Sequence, residues 1–414
     1  MGTDSRPEGT QRRSEDLPDR VRTRHAASRP TEPFPVFQCP DTPTARLALA
    51  AIHREPTRGI PSWLLHVMEH AHIQRLAGLP PGAYRRDPEP TYLAMQRRIG
   101  TCLLDQYLWD NPLTMGDHGY EAGQRGATTG GGPPVVDGML IDGPEAVVRH
   151  LTERVFPALR QAAATFDEEA RAREIVAGEM ALQERIGATM LKSGYGFVQF
   201  PVFAYGTYGY EAYFMAYALY PEVMEQHFAL QADLALRNNR AAAMAYVRGG
   251  LPPLYRLDFD MADSRGTLVR VETLDRIWFP HFERCLQPLL KAGVQLIWHC
   301  DGNLMEMVPR LLEVGLSGFQ GFQYEDGMDY PRICRMKTRD GRSPLIIAGV
   351  SVTRTLPHGT PEDVRRELRW LVENGPATGL FLGGSSSIAP GVPYENLEAL
   401  AEGLAWYRER GRGS

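Results

Sequence analysis

The chain has 414 residues, of which 43% are hydrophobic and 23% charged, with a formal net charge of -5. This is ample material for a large core, including a single barrel enlarged by insertions, while the charge balance excludes a general attraction to nucleic acid or to an anionic membrane. Five scattered cysteines without a CxxC pair (Cys39, Cys102, Cys285, Cys300 and Cys334) exclude a disulfide framework or a zinc ribbon.

Residues 1–34 mix Arg, Asp, Glu, Pro and Ser with almost no apolar side chains. Such a segment buries too little surface to offset its ordering entropy, and a disordered tail is expected. Its arginines precede no hydrophobic stretch, so it does not read as a secretory signal. No run in the chain approaches the roughly 18 apolar residues of a membrane span. These features and the unpaired cysteines fit a cytoplasmic protein. From residue 35 to 414 a single domain is expected.

The segment RGIPSWLLHVMEHAHIQRLAGLP opens with a short apolar run, continues with helical spacing and ends at Gly78. Residues 121–134 are Gly-rich, but they lack the Lys-Ser/Thr of a P-loop and follow no strand, which argues against a phosphate cradle. A helix is predicted after Asp142, with Asp142 as its cap and Pro144 in the first turn, and helix is expected to continue to about Ile186. Short apolar runs then recur at 197–204, 254–260, 294–300, 317–323, 344–350 and 378–384. Amphipathic helical stretches separate them, one of them beginning at Thr360 as N-cap and ending at Gly375 as C-cap. Strand–helix alternation predicts parallel βα units. No Gly-rich nucleotide turn follows an early strand, so a (β/α)8 TIM barrel is favoured over a dinucleotide-binding open sheet.

In such a barrel the chemistry lies at the C-terminal ends of the strands. LYRLDFD ends in Asp258 and Asp260, which alternation places on one face. VQLIWHCDGN ends in His299, Cys300 and Asp301, with His299 and Asp301 on one face and Cys300 turned away. SGFQGFQYEDGMD contributes Gln323, Glu325 and Asp329, and TGLFLGGSSS contributes Ser385, Ser386 and Ser387. The His-x-Asp pair suits a divalent metal, because imidazole and carboxylate both ligate zinc. It equally suits a carboxylate-oriented imidazole acid or base. The plain alternative is a histidine bonded to a neighbouring loop beside helix-capping aspartates. Tyr205 opens a tyrosine-rich stretch (205–214) that suits either an aromatic wall for a flat or cationic substrate or simple packing under the rim. His358 reads as a surface residue.

Five motifs in order carry a resemblance over roughly 190 to 405. WHCDGNLMEMVPRLLEVGLSGFQGFQ, DGMD, AGVSVTRTLPHGTPEDVRRELRWLVENG, SSSIAPGVPYENLEAL and the earlier DMADSRGTLV are similar to segments of the uroporphyrinogen decarboxylase superfamily. The resemblance implies a (β/α)8 barrel. It also implies either the haem-pathway decarboxylation or transfer of methyl groups between methylated corrinoids and thiols or other acceptors. The decarboxylase's Arg-Gln-Ala-Gly-Arg-Tyr motif is absent, so the chain more closely resembles the methyltransferase branch. In the zinc-dependent members His299 would match the histidine ligand, but Asp301 and Ser386 stand where thiolates are found. The resemblance thus implies zinc or another divalent ion on His299 and Asp301, with Asp260 taking part in catalysis. Gln323, Tyr205, Asp258 and Ser386 would contact a small-molecule substrate, and the implied partners are a corrinoid carried by another protein and a second copy in a homodimer. The alternatives are a metal-independent lyase or decarboxylase acting through His299 and Asp301, and a non-catalytic binding barrel.

Overall fold

The apolar runs flanked by turn residues form short parallel strands in the computed structural model, which describes residues 33–115 and 133–412. The first strand segment, β1, is 62–63. It is followed by β2 (Leu103–Leu104), β3 (Leu191–Lys192), β4 (Leu254–Asp258), β5 (Gln295–His299), β6 (Gly318–Gln320), β7 (Leu345–Val350) and β8 (Leu380–Gly384). The pairing follows chain order. Trp63 pairs with Leu103, β2 with β3, and Gly194, just beyond β3, with Tyr255. Strands β4 to β8 pair in succession, and Ser62 pairs with Leu382 of β8. The last strand therefore returns to the first, and the predicted (β/α)8 barrel is closed. Residues 35–414 form one compact unit. No helix among the described residues is long and apolar enough to cross a membrane.

The strand expected at 197–204 is absent from the barrel, whose third strand lies a few residues earlier. The run FVQFPVFA buries Phe197, Val198, Pro201 and Phe203 without a ladder. Phe197 and Val198 each donate a backbone N–H to Tyr255 Oη at 2.9 Å. Three side-chain amides from the long helix 221–249 add further bonds: Asn239 bonds both N–H and C=O of Gln199, Gln231 both groups of Val202, and Asn238 the carbonyl of Phe197. Pro201 has no N–H for a ladder, its carbonyl accepts from Trp278 Nε1 at 2.9 Å, and side chains here take the place of a strand neighbour. Alternating apolarity cannot distinguish the two solutions.

The helices bury their apolar stripes on the outside of the barrel or close its floor. Helix α1 (Pro43–Ile52) is capped by Thr42, whose Oγ1 accepts the Ala45 N–H at 3.3 Å. Its Ala45, Ala48, Ala51 and Ile52 pack against barrel residues that include Leu103, Leu191, Ile297 and Phe381. Just beyond α1, Arg54 donates to Gln295 Oε1, Ser317 O and Ser343 O, near the starts of β5, β6 and β7. The N-terminal end is thereby plugged, and the open mouth is C-terminal. Helices α2 (Glu168–Ile186), α3 (Tyr210–Leu219), α4 (Pro221–Gly249) and α5 (Phe279–Lys291) are followed by α6 (Pro361–Asn374) and α7 (Tyr394–Arg410). Thr360 caps α6 in a reciprocal box with Asp363. Gly375 follows α6 as its C-cap, in extended rather than left-handed geometry. Asp142 is not a cap: Gly143 holds that position before Pro144, without a side-chain bond. The Gly-rich stretch falls almost wholly at 116–132, outside the described residues, as do residues 1–32.

Candidate functional site

Inside the barrel a buried arginine organises the layer below the mouth. Arg256 on β4 donates from Nε to Asp105 Oδ2 at 2.5 Å and from Nη1 to Asp258 Oδ2 at 2.8 Å, with Gln320 Oε1 at 3.3 Å. Its guanidinium lies over the ring of Tyr195, 4.8 Å from the centroid, and the Tyr195 hydroxyl donates to Asp258. Burial pushes the Asp105 carboxyl up, but the Arg256 charge and hydrogen bond outweigh it and hold the group below its usual range. Asp258 and Asp260 therefore separate in role. β4 ends at Asp258, whose carboxylate faces Arg256, while Asp260 lies on the rim loop.

Asp260, His299 and Asp301 meet at the mouth, each offering one ligand atom, with these atoms within 4.8 Å of one another. His299 is buried, and its Nδ1 stands 3.3 Å from the Gln320 carbonyl. A carbonyl only accepts, so Nδ1 carries the proton and Nε2 presents its lone pair to the cluster. Gly321 makes this packing feasible. Its φ is +75°, and a Cβ there would stand 2.8 Å from His299 Nδ1. From Nε2 to Asp301 Oδ1 is 3.9 Å, too long for a hydrogen bond. Asp301 Oδ1 is buried and accepts no hydrogen bond from the described residues. The other carboxylate oxygen, Oδ2, is 3.5 Å from Ser386 Oγ. The Asp301 N–H donates to Asp260 Oδ1 at 2.9 Å. Although Asp260 as a residue is exposed, desolvation of its carboxyl, helped by the Asp301 charge, raises it above the usual carboxylate range. The Asp301 N–H and His299 oppose this shift. Two carboxylates and an imidazole lone pair converging on one point, with one buried oxygen unsatisfied, suit a cation.

Cys300 faces away, as the strand alternation predicts. Its Sγ accepts the Met261 N–H at 3.3 Å, and burial pushes the thiol up to about 12. Gln323 accepts the Gly302 N–H, holding the loop behind Asp301. Tyr205 donates to the Asp260 carbonyl at 2.8 Å and stacks on Tyr210 with ring centroids 4.5 Å apart, so the tyrosines form a platform beside the cluster. Glu325 turns to Ser351 and Thr353 instead. Asp329 caps the helix Tyr330–Arg335, and His358 is exposed.

A cavity of about 410 Å³ reaches the cluster at Asp301 and is lined among others by Asn111, Gln323, Ser386 and Ser387. Asn111 on the cavity wall, His66 in contact with it, and the buried Asp105–Arg256 pair escaped the sequence reading. His66 ends a short apolar run much as His299 ends β5, but β1 makes too few pairings to stand out as a strand.

None of the curated proteins matches the sequence. Among solved structures, a methyltransferase from Methanosarcina mazei is similar at 15% identity with a TM-score of 0.47, over 89% of this chain and 99% of that one. A family model described as Uroporphyrinogen decarboxylase (URO-D) matches residues 259–405, the stretch that supplies Asp260, His299, Asp301, Gln323 and Ser386. Over these residues the chain is similar to the uroporphyrinogen decarboxylase family.

Proposed function

We propose that the barrel mouth binds a divalent metal, such as zinc, and transfers a methyl group between a small molecule and a corrinoid. The observation that carries this reading is the convergence of His299 Nε2 with the Asp260 and Asp301 carboxylates within 4.8 Å, with Asp301 Oδ1 left unsatisfied. Ligand atoms about 2.0–2.2 Å from zinc sit roughly 3.3 Å from one another, so small side-chain shifts suffice to close the site. When bound, the ion supplies Lewis acidity, polarising or deprotonating the methyl acceptor.

The chain's own residues do the rest. The Gln320 carbonyl holds His299 in the tautomer that leaves Nε2 free to ligate. Ser386 lies where it can donate to Asp301 Oδ2 and so fix the carboxylate's orientation. The stacked Tyr205 and Tyr210 offer a flat apolar face beside Asp260 on which a large planar corrinoid can rest. A metal-independent lyase would want His299 hydrogen-bonded to Asp301, and the 3.9 Å separation gives that pairing no support.

The test is metal content of the purified protein beside His299→Ala and Asp301→Ala, together with consumption of methylcobalamin. Near-stoichiometric zinc lost in both variants, with methylcobalamin turnover lost in parallel, is expected. A protein that takes up no added divalent ion overturns the metal reading, and a loaded protein inert to methylcobalamin with every acceptor supplied overturns methyl transfer.

A further inference from the structure

Behind two residues that line the cavity, Asn111 and Ser387, lies a second imidazole that the metal reading does not use. His66 is buried, and its two ring nitrogens have different neighbours: Nδ1 lies 2.8 Å from Ser387 Oγ, and Nε2 lies 3.3 Å from Asn111 Nδ2. The Asn111 amide nitrogen also approaches Met68 Sδ at 3.8 Å. An amide NH2 group only donates. His66 Nε2 therefore accepts, and the ring proton sits on Nδ1, donated to Ser387 Oγ. Burial, and secondarily the Arg256 charge, hold His66 down at about 4, so the ring is neutral across the physiological range.

One consequence concerns Ser387. Its oxygen already receives a proton from His66, so its own hydroxyl proton must go elsewhere. Among the described residues no other hydrogen bond ties Ser387, which is exposed and lines the cavity together with Asp301 and Ser386. We propose that Ser387 is a substrate-binding hydroxyl, oriented by His66, that donates a hydrogen bond to an uncharged oxygen acceptor, such as an amide, ketone or alcohol oxygen, of the small molecule held over the His299 cluster. The acceptor is uncharged because the surroundings are rich in carboxylates. Asp105 and Asp258 already surround Arg256, Asp301 lines the cavity, and Asp260 stands beside Asp301. His66 is a positioning residue here: it acts through Ser387.

This assignment deepens the methyl-transfer reading, on which it rests for treating the cavity as a substrate site. The test uses the full chain with isotope-labelled histidine nitrogens, observed by NMR, and acetamide as the probe. The His66 signals are identified by their loss in His66→Asn. The expected result is a His66 proton on Nδ1 and saturable movement of the His66 signals on adding acetamide. Ser387→Ala should weaken acetamide binding about five-fold, the scale of one neutral hydrogen bond, and Ser387→Thr should restore it. A proton on Nε2, equal acetamide binding in wild type and Ser387→Ala, or no saturable response overturns the proposal. Tighter binding of acetate than of acetamide overturns the uncharged class. Zinc content is read on the same samples, so a metal-free protein that still responds to acetamide through Ser387 sinks the metal reading alone.

Discussion

Arg256 and Asp105 stand 151 positions apart in the chain and 2.5 Å apart inside the barrel, Nε to Oδ2. Both side chains are only 3% exposed, and Asp105 also accepts from Trp63 Nε1 at 2.8 Å. The pair ties β4 to the end of β2 and sets the floor on which the mouth residues rest. Arg256→Leu would leave the Asp105 carboxylate buried without its counter-charge. A loss of about 3–5 kcal/mol in a denaturant titration is expected. Because the folded Asp105 carboxyl lies below its unfolded value, its stabilisation is fully present above that value and is lost as pH falls through the folded one. Arg256→Leu should therefore flatten the acid limb of the stability profile.

Gly321 offers a way to disturb His299 without removing it. Gly321→Ala places a methyl group 2.8 Å from Nδ1 at a positive φ, so the imidazole must turn from the Gln320 carbonyl. The expected result is a folded protein whose zinc affinity, measured by chelator competition, drops about 10–100-fold. Unchanged affinity would remove His299 from the ligand set.

Lys192 and Glu179 form a second buried pair, with Nζ to Oε2 at 2.8 Å and side-chain exposures of 1% and 7%. Lys192→Met alone leaves Glu179 buried and unpaired, and should cost about 3–5 kcal/mol. The double variant Lys192→Met with Glu179→Leu should recover most of that loss, since both desolvated charges are gone. A double variant no more stable than the single one would show that the pair holds α2 on β3 by more than charge balance.

Glu367 on α6 gives a pH signature separate from the His299 cluster. Burial pushes its carboxyl up from 4.5 to about 7, against the Ser351 N–H that donates to it. The folded chain thus holds this proton more tightly than the unfolded chain. Its contribution to stability falls as pH rises from about 4.5 to about 7 and is level outside that window. Melting temperatures should show this decline in wild type and lose it in Glu367→Gln; identical profiles would refute it.

The half of the barrel from β4 onward was legible because its signals are local. VQLIWH and PLIIAGV are short apolar runs closed by turn residues, and Thr360 and Asp363 announce the start of α6 within four positions. The first half was not. Strands β1, β2 and β3 make only one or two ladder pairings each, and the apolar run 197–204 reads as a strand although amide side chains satisfy its backbone. The Asp142 cap failed for a similar reason: Gly143 intervenes, and one residue decides which group reaches the helix end.

By itself the sequence determined that His299 and Asp301 share one face at a strand end with Cys300 turned away, because side-chain alternation along a strand follows from backbone geometry. It likewise determined the parallel strand–helix repeat, through periodicity and capping. Only the tertiary structure decided that Asp260 joins His299 and Asp301 while Asp258 turns to Arg256. The same holds for His66 and Ser387, 321 residues apart, which meet at the mouth. Those relationships arise when the last strand closes on the first, and contacts between strands so distant in the chain leave no trace in any local pattern.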